Sequence, residues 1–224
     1  MNGYIPTEEE YLEFERLGRK LGIPVTRTFV TLEVTKDGKI LDRYHDRSHT
    51  WNRNYWNYHL MTPIAILGVA TDFGAGYLSF KRVSGSVTAT TAANVHLSSR
   101  NASANSSFGI VVGTGTGAES FEGYILDTLV AHGTGAGQLS YAAEEATLQN
   151  YTSGTKTWDI TTRRNFTNSS GGTIVIAETG IYAIFQDLTS QYAMICRDLL
   201  GSTVSVAAAA QLAVTYTISL TFPE

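Results

Sequence analysis

"QLAVTYTISLTF", residues 211–222, decides how the rest of the chain is read. Leu212, Val214, Tyr216, Ile218, Leu220 and Phe222 fall on one side of an extended segment. Ala213, Thr215, Thr217, Ser219 and Thr221 fall on the other. A period of two over this length is that of a strand with one face on a core and a Thr/Ser face on water or a polar neighbour. The same pattern extends upstream. "TWDITTRRNF" (157–166) places Trp158, Ile160, Thr162 and Phe166 together, "TIVIAETGIYAIF" (173–185) reads as one or two strands, and "STVSV" (202–206) alternates through Val204 and Val206. "TNSSGG" (167–172) is a turn cluster between two of these runs. From Phe108 onward the chain is β-rich, which predicts a mainly β protein with an antiparallel β-sandwich or jelly-roll-like body.

The start of the chain departs from this pattern. About half of all charged side chains lie in the first sixty residues, a composition shift of the kind that marks a boundary. Thr7 and Glu10 have capping-box spacing, Glu8 to Glu10 suit the positive end of a helix dipole, and Arg19 and Lys20 suit the negative end. Gly22 and Pro24 end the segment. Residues 1–23 therefore read as an N-terminal amphipathic helical arm, with Tyr11, Phe14, Leu17 and Leu21 as its apolar stripe. So short a helix is marginal alone, and its stripe is expected to dock either on its own body or on a neighbouring subunit. Residues 24–224 form the β-rich body. It opens with a hairpin, "TFVTLEVTKDGKILDRYHD" (28–46), in which Asp37-Gly38 supplies the turn and Val30, Leu32 and Val34 face inward. "SHTWNRNYWNYHLM" (48–61) repeats Trp51, Tyr55 and His59 at helical spacing and predicts a short helix with an aromatic face. Residues 84–107 carry almost no large side chains, so a long loop or exposed hairpin is expected there, as an insertion over about 75–107.

Composition narrows the function classes. The net charge of -4 offers no basic stripe for nucleic acid. Only 16% of residues are charged, below the roughly 25% usual for soluble domains. The lone Cys196, in the apolar run "YAMICRDLL" (192–200), reads as a buried small hydrophobe. "MNGYIPTEEE" has no signal-peptide character, and no apolar stretch approaches the ~20 residues of a membrane span. Synthesis in the cytoplasm is the expectation.

The glycine-threonine run "VVGTGTGAES" (111–120) invites a phosphate-cradle reading. It lacks the lysine of a P-loop, as does the later "GTGAGQLS" (133–140). Ala118 stands where a dinucleotide fingerprint has its third glycine, and the surroundings are β rather than βαβ. Two tight turns flanking "FEGYILDTLV" (121–130), enabled by positive φ at glycine, are expected instead. His45, Asp46 and His49 are a weak metal set. His132, Asp127 and Ser140 make a weak triad without a nucleophile elbow. Glu144 and Glu145, adjacent on a strand, face opposite ways and disfavour a paired-carboxylate glycosidase. Arg164 is expected in a buried or interfacial structural ion pair with Asp187, Asp198 or Glu178. The sequons at Asn101, Asn105, Asn150, Asn165 and Asn168 arise from composition and stay bare without secretion. Trp51, Tyr55, Trp56 and Tyr58 form the one credible ligand surface, suited to stacking on sugar rings, against the alternative of a small core joining arm to body.

From Phe108 to the end, "FGIVVGTGTGAESFEGYILDTLVAHGTGAGQLSY", "RRNFTNSSGGTIVIAETGIY", "MICRDLL" with "VSV", and "LAVTYTISLTF" resemble uncharacterised virion structural proteins of tailed bacteriophages. "VTKDGKILDRYHDRSHTWNRNYWNYHL" (34–60) is similar to that group's charged hairpin and aromatic helix. The resemblance implies a non-catalytic accessory capsid or tail component in the virion, assembled in the host cytoplasm with copies of itself and other virion proteins. The resemblance carries over no active site, and no cofactor, metal or catalytic residue is expected. The expected interface residues are Tyr11, Phe14, Leu17, Leu21, Trp51, Tyr55 and Trp56. A glycan-binding or host-recognition module is the alternative, and a hydrolase the third reading.

Overall fold

The computed structural model describes residues 6–64, 79–89, 97–98, 105–185 and 191–223. Helix α1 (Glu8–Leu21) leads into strands β1 (Val25–Lys36) and β2 (Lys39–Arg47), then helix α2 (Arg53–Ile64). Three short strands follow, β3 (Ser79–Lys81), β4 (Val87–Ala89) and β5 (Leu97–Ser98). The body continues with β6 (Gly109–Gly113), β7 (Ser140–Glu144), β8 (Leu148–Thr152), β9 (Thr157–Thr167), β10 (Ile174–Phe185), β11 (Gln191–Val206) and β12 (Gln211–Thr221).

The protein is mainly β, and among the described residues every strand pair is antiparallel. A six-stranded sheet runs β2-β1-β12-β9-β7, with β8 also on β9. A four-stranded sheet runs β11-β10-β5, with β6 also on β10. β12 is central to the larger sheet, between β1 and β9, although it is the last strand in the chain. Two-sidedness explains its alternation. Leu212, Val214 and Tyr216 are buried with Val30, Leu32, Val34 and Phe166 against Ile110, Ile176, Val204 and Val206 of the smaller sheet. Cover thins toward the far end: Ile218 and Leu220 are half-buried, and Phe222 and Trp158 are exposed.

The β1–β2 turn takes Asp37 at φ 51 and Gly38 at φ 73, the left-handed pair a two-residue hairpin requires. The run 173–185 is one strand, bulged twice against β11. Its buried Glu178 and Tyr182 meet the loop that carries Leu126 to Thr128, so the smaller sheet is covered on its outer side as well. Part of the expected insertion is a hairpin: β3 pairs β4, with Phe80 buried beneath it, and β5 adds to the edge of β10. Residues 75–78, 90–96 and 99–104 of that insertion lie outside the described residues.

Helix α1 has the ends its sequence specifies. Thr7 and Glu10 form the capping box, and Gly22 caps the other end at φ 70. Its seating leaves most of the stripe undocked on its own body, against the first of the two expected alternatives. β2 pairs β1 only from Phe29 onward, and α1 packs beside the start of β1, which is paired with β12 alone, where Gly18 lies against Val25. The buried positions of the helix are Glu15 and Gly18. Phe14, Leu17 and Leu21 are 63%, 44% and 61% exposed.

A candidate site in the cleft between the two helices

Arg47, the last residue of β2, fixes α1. Its guanidinium donates to Glu8 and to the buried Glu15, with Nη2 2.8 Å from Glu8 Oε1 and Nη1 3.0 Å from Glu15 Oε1. It lies 4.4 Å over the Tyr11 ring and 5.3 Å from that of Phe29. Arg27 Nη2 reaches Glu15 Oε2 at 2.6 Å. Because Arg47 donates to it, the Glu8 carboxyl is held below the usual range, and the guanidinium is driven up by the same bond. α1 is thus attached through charge, an arrangement that turns Phe14, Leu17 and Leu21 of its apolar stripe outward.

Helix α2 is held by two buried asparagines. Asn52 accepts from the Tyr55 N–H at 3.3 Å as a helix N-cap, and its amide donates to the Gly123 and Met194 carbonyls. Asn54 donates to the Lys81 and Met194 carbonyls. Trp51 is not part of the helix: it bridges Cys196 of β11 and packs from outside at a tilt against Tyr55, 4.3 Å between centroids. Tyr55 meets His59 at 4.2 Å and Trp56 at 5.4 Å. Burial lowers the His59 pKa and raises that of Tyr55.

Between these elements lies a cleft of about 540 Å³. Tyr11, Phe14 and Glu15 line one wall, and Trp51, Tyr55, Trp56 and His59 the other. Thr26, Thr28, Arg47 and His49 are among the residues that join the two walls. Five of the seven expected interface residues therefore converge here: Tyr11, Phe14, Trp51, Tyr55 and Trp56. Leu17 and Leu21 do not line it.

Beside the cleft is a buried polar knot. Asp198 accepts from Ser48 Oγ at 2.8 Å, Tyr216 OH at 3.0 Å and the His49 N–H at 3.0 Å. Cys196 Sγ is 3.3 Å from the same carboxylate. Burial pushes the Asp198 carboxyl and the Cys196 thiol up. Cys196 is buried, as its apolar surroundings predict, but as part of this knot rather than as a bare hydrophobe.

The other sequence candidates separate. His45 bonds Thr31 and stacks on Phe29, and Asp46 accepts from the Arg47 N–H, so the His45–Asp46–His49 set does not form. His132 accepts from the Tyr141 N–H, Asp127 accepts from the Gly117 N–H, and Ser140 donates to the Gly133 carbonyl, which leaves no triad. Glu144, the last residue of β7, is buried on the Ile110 N–H, while Glu145, just past the strand, is exposed on Asn165, so the two face opposite ways as expected. Arg164 does not pair with Asp198 or Glu178, and Asp187 lies outside the described residues. It donates to the carbonyls of Asn105, Phe108, Ile110 and Ala142, stands opposite Glu144 in the sheet, and lies 4.7 Å over the Tyr141 ring. Glu178 pairs instead with Arg197, at 2.7 Å. Among the sequons, Asn168 is buried and Asn101 lies outside the described residues.

The glycine-threonine loop does present backbone N–H groups to an anion, but the anion is its own Glu178. The Gly115, Asp127 and Thr128 N–H groups all donate to that buried carboxylate. Gly113 and Gly115 are required by close approach rather than by positive φ: a Cβ would stand 2.4 Å from Glu178 Oε1 at Gly113 and 2.4 Å from Asp127 Cβ at Gly115. Positive φ governs only the later turn, with Gly137 at 74°.

Fold and site together define the class: a two-sheet antiparallel β-sandwich with a charge-clamped helix and an aromatic cleft. No family model, curated protein or solved structure matches the chain. Among the described residues no helix is long and apolar enough to cross a membrane.

Proposed function

We propose that the protein is a non-catalytic structural subunit of a virus particle, an accessory capsid or tail component that assembles with copies of itself. The single observation that carries this reading is the seating of α1, attached by Glu8 and Glu15 with Phe14, Leu17 and Leu21 turned out. A helix with its apolar stripe in water gains that burial only when a neighbour covers it. A second apolar region, with exposed Tyr151, Trp158 and Phe222, lies at the thinly covered end of the larger sheet. Two unlike patches on one chain suit head-to-tail contact, which closes into rings or continues as tubes. The likeness of residues 108–222 to tailed-phage virion proteins supplies the particle.

Sedimentation and electron microscopy of the full chain test this. The wild type should form rings, tubes or other discrete assemblies, and Leu17→Glu/Leu21→Glu should remain monomeric with unchanged circular dichroism. A wild type that stays monomeric at high concentration overturns the proposal.

A specific observation favours a second reading, glycan binding. The cleft sets Trp51, Tyr55 and Trp56 beside the polar heads of Arg47 and Glu15, the mixture of ring faces and hydrogen-bonding groups that saccharides use. A glycan screen in which Trp56→Ala abolishes binding while assembly persists supports it. No saccharide binding by the wild type refutes it.

A further inference from the structure

His49, Glu119 and Asp198 come from three distant parts of the chain: the segment after β2, the glycine-threonine loop, and β11. His49 Nδ1 is 3.5 Å from Glu119 Oε2 and 3.7 Å from Asp198 Oδ1. One ligand atom from each residue lies within 4.8 Å of the other two. We propose that these three side chains form a site for a divalent transition-metal ion of the zinc type.

Geometry is the first support. Nitrogen and carboxylate oxygen bind zinc at about 2.0–2.2 Å, so the edge of the coordination tetrahedron is roughly 3.4 Å. Both separations from His49 are close to that edge, and a small side-chain movement brings the two carboxylates within it. Three protein ligands leave the fourth position of the tetrahedron for water or another small donor. His49 also lines the cleft, so an ion here sits beside it.

Charge is the second. Among the described residues, His49 is the only basic group within ion-pair distance of either carboxylate. Arg197 adjoins Asp198 in sequence but turns to Glu178, and Arg47 is committed to Glu8 and Glu15. Two partly or fully buried carboxylates with a single imidazole between them make a place for a dication.

The surrounding hydrogen bonds are the third. Glu119 Oε1 accepts from the Leu199 N–H at 2.6 Å, which leaves Oε2 toward His49. Asp198 Oδ2 takes the Ser48 and Tyr216 hydroxyls, and Oδ1 is the oxygen nearest the imidazole. Outer partners of this kind orient ligating carboxylates. Thr50 Oγ1 lies 3.0 Å from His49 Nδ1 and turns away when the ion takes that lone pair. An imidazole in a set of so few donors selects against calcium and magnesium, which need six or more oxygens, or octahedral oxygen and water.

The test uses zinc chloride and the full-length chain, freed of metal with a chelator, followed by titration calorimetry and native mass spectrometry. One zinc per chain is expected, together with a raised melting temperature. Glu119→Gln should weaken binding by about tenfold or more without altering circular dichroism, and His49→Gln should do the same. His45→Gln, on β2 against Thr31 and Phe29, should bind as the wild type does. The absence of saturable uptake up to millimolar zinc overturns the site, as does undiminished affinity in both Glu119→Gln and His49→Gln. Assembly is read separately, so failure of this site leaves the structural-subunit proposal standing, and the reverse holds too.

Discussion

Replacing Arg47 with methionine removes the guanidinium that clamps α1 while keeping an unbranched apolar stem. Arg47 and Glu15 are both under a tenth exposed, and removing one partner of such a pair costs about 3–5 kcal/mol. Arg27 still reaches Glu15, which places the loss at the lower end. The Glu8 arm is well exposed and adds no more than about 1 kcal/mol. A total near 3–4 kcal/mol exceeds what a 14-residue helix supplies by itself. α1 should therefore detach and unwind while the sheets stay folded, because the β1–β12 ladder and the inter-sheet core do not use Arg47. Hydrogen exchange reads this directly. Amides of residues 8–21 should lose protection by roughly a hundredfold to several hundredfold, at 1.4 kcal/mol per factor of ten, while those of β12 are unchanged. Wild-type protection in α1, or a matching loss in β12, would refute the reasoning. Acid supplies a second check. The folded Glu8 carboxyl lies below its ordinary value of 4.5, so its contribution is complete above that pH and is lost as pH falls through the folded value. α1 should loosen in that window in the wild type, and the Glu8 step should be absent from Arg47→Met.

Three further outcomes are expected. Gly115→Ala places a methyl 2.4 Å from Asp127 Cβ and should destabilise the fold by about 1–3 kcal/mol, seen as a lower melting temperature. Glu178→Gln leaves Arg197 buried without its carboxylate and should cost about 3–5 kcal/mol by urea unfolding; an unchanged midpoint would show that Arg197 is satisfied by the loop carbonyls alone. His59 has a pKa lowered from 6.5 by burial, so its contribution is present above 6.5 and lost as pH falls through the folded value. Tryptophan fluorescence from the cleft should change in that range, and His59→Gln should abolish the change.

The polar knot shows how buried charge was signalled without its partners being named. An Arg197–Asp198 pair inside "YAMICRDLL", and Glu178 inside "TIVIAETGIY", mark charges that an apolar strand must satisfy somewhere. Strand patterning cannot say where, since Glu178 answers the loop 113–128 and Asp198 answers Ser48 and His49, each far away in sequence. The metal candidates follow the same logic: His45 and His49 are four residues apart in the chain, yet only His49 meets carboxylates from two other segments. Asn52 was the overlooked local signal, an N-cap immediately before an aromatic helix. Gly18 was another, a glycine in a helix interior where Val25 leaves no room for a Cβ.

Local chemistry alone settled the class of the fold: the alternation of 211–222, the Asp37-Gly38 turn and the ends of α1 depend on residues within a few positions of one another, and the structure contains all three. Pairing across the chain was decided only in three dimensions. β12 lies between β1 and β9 because a central strand needs two partners, and no local pattern names them. The outward face of α1 was decided there too, because a helix rotates to satisfy its strongest contact, and two arginines on the body hold Glu15 inward with Tyr11 beneath Arg47 while Phe14, Leu17 and Leu21 stay exposed.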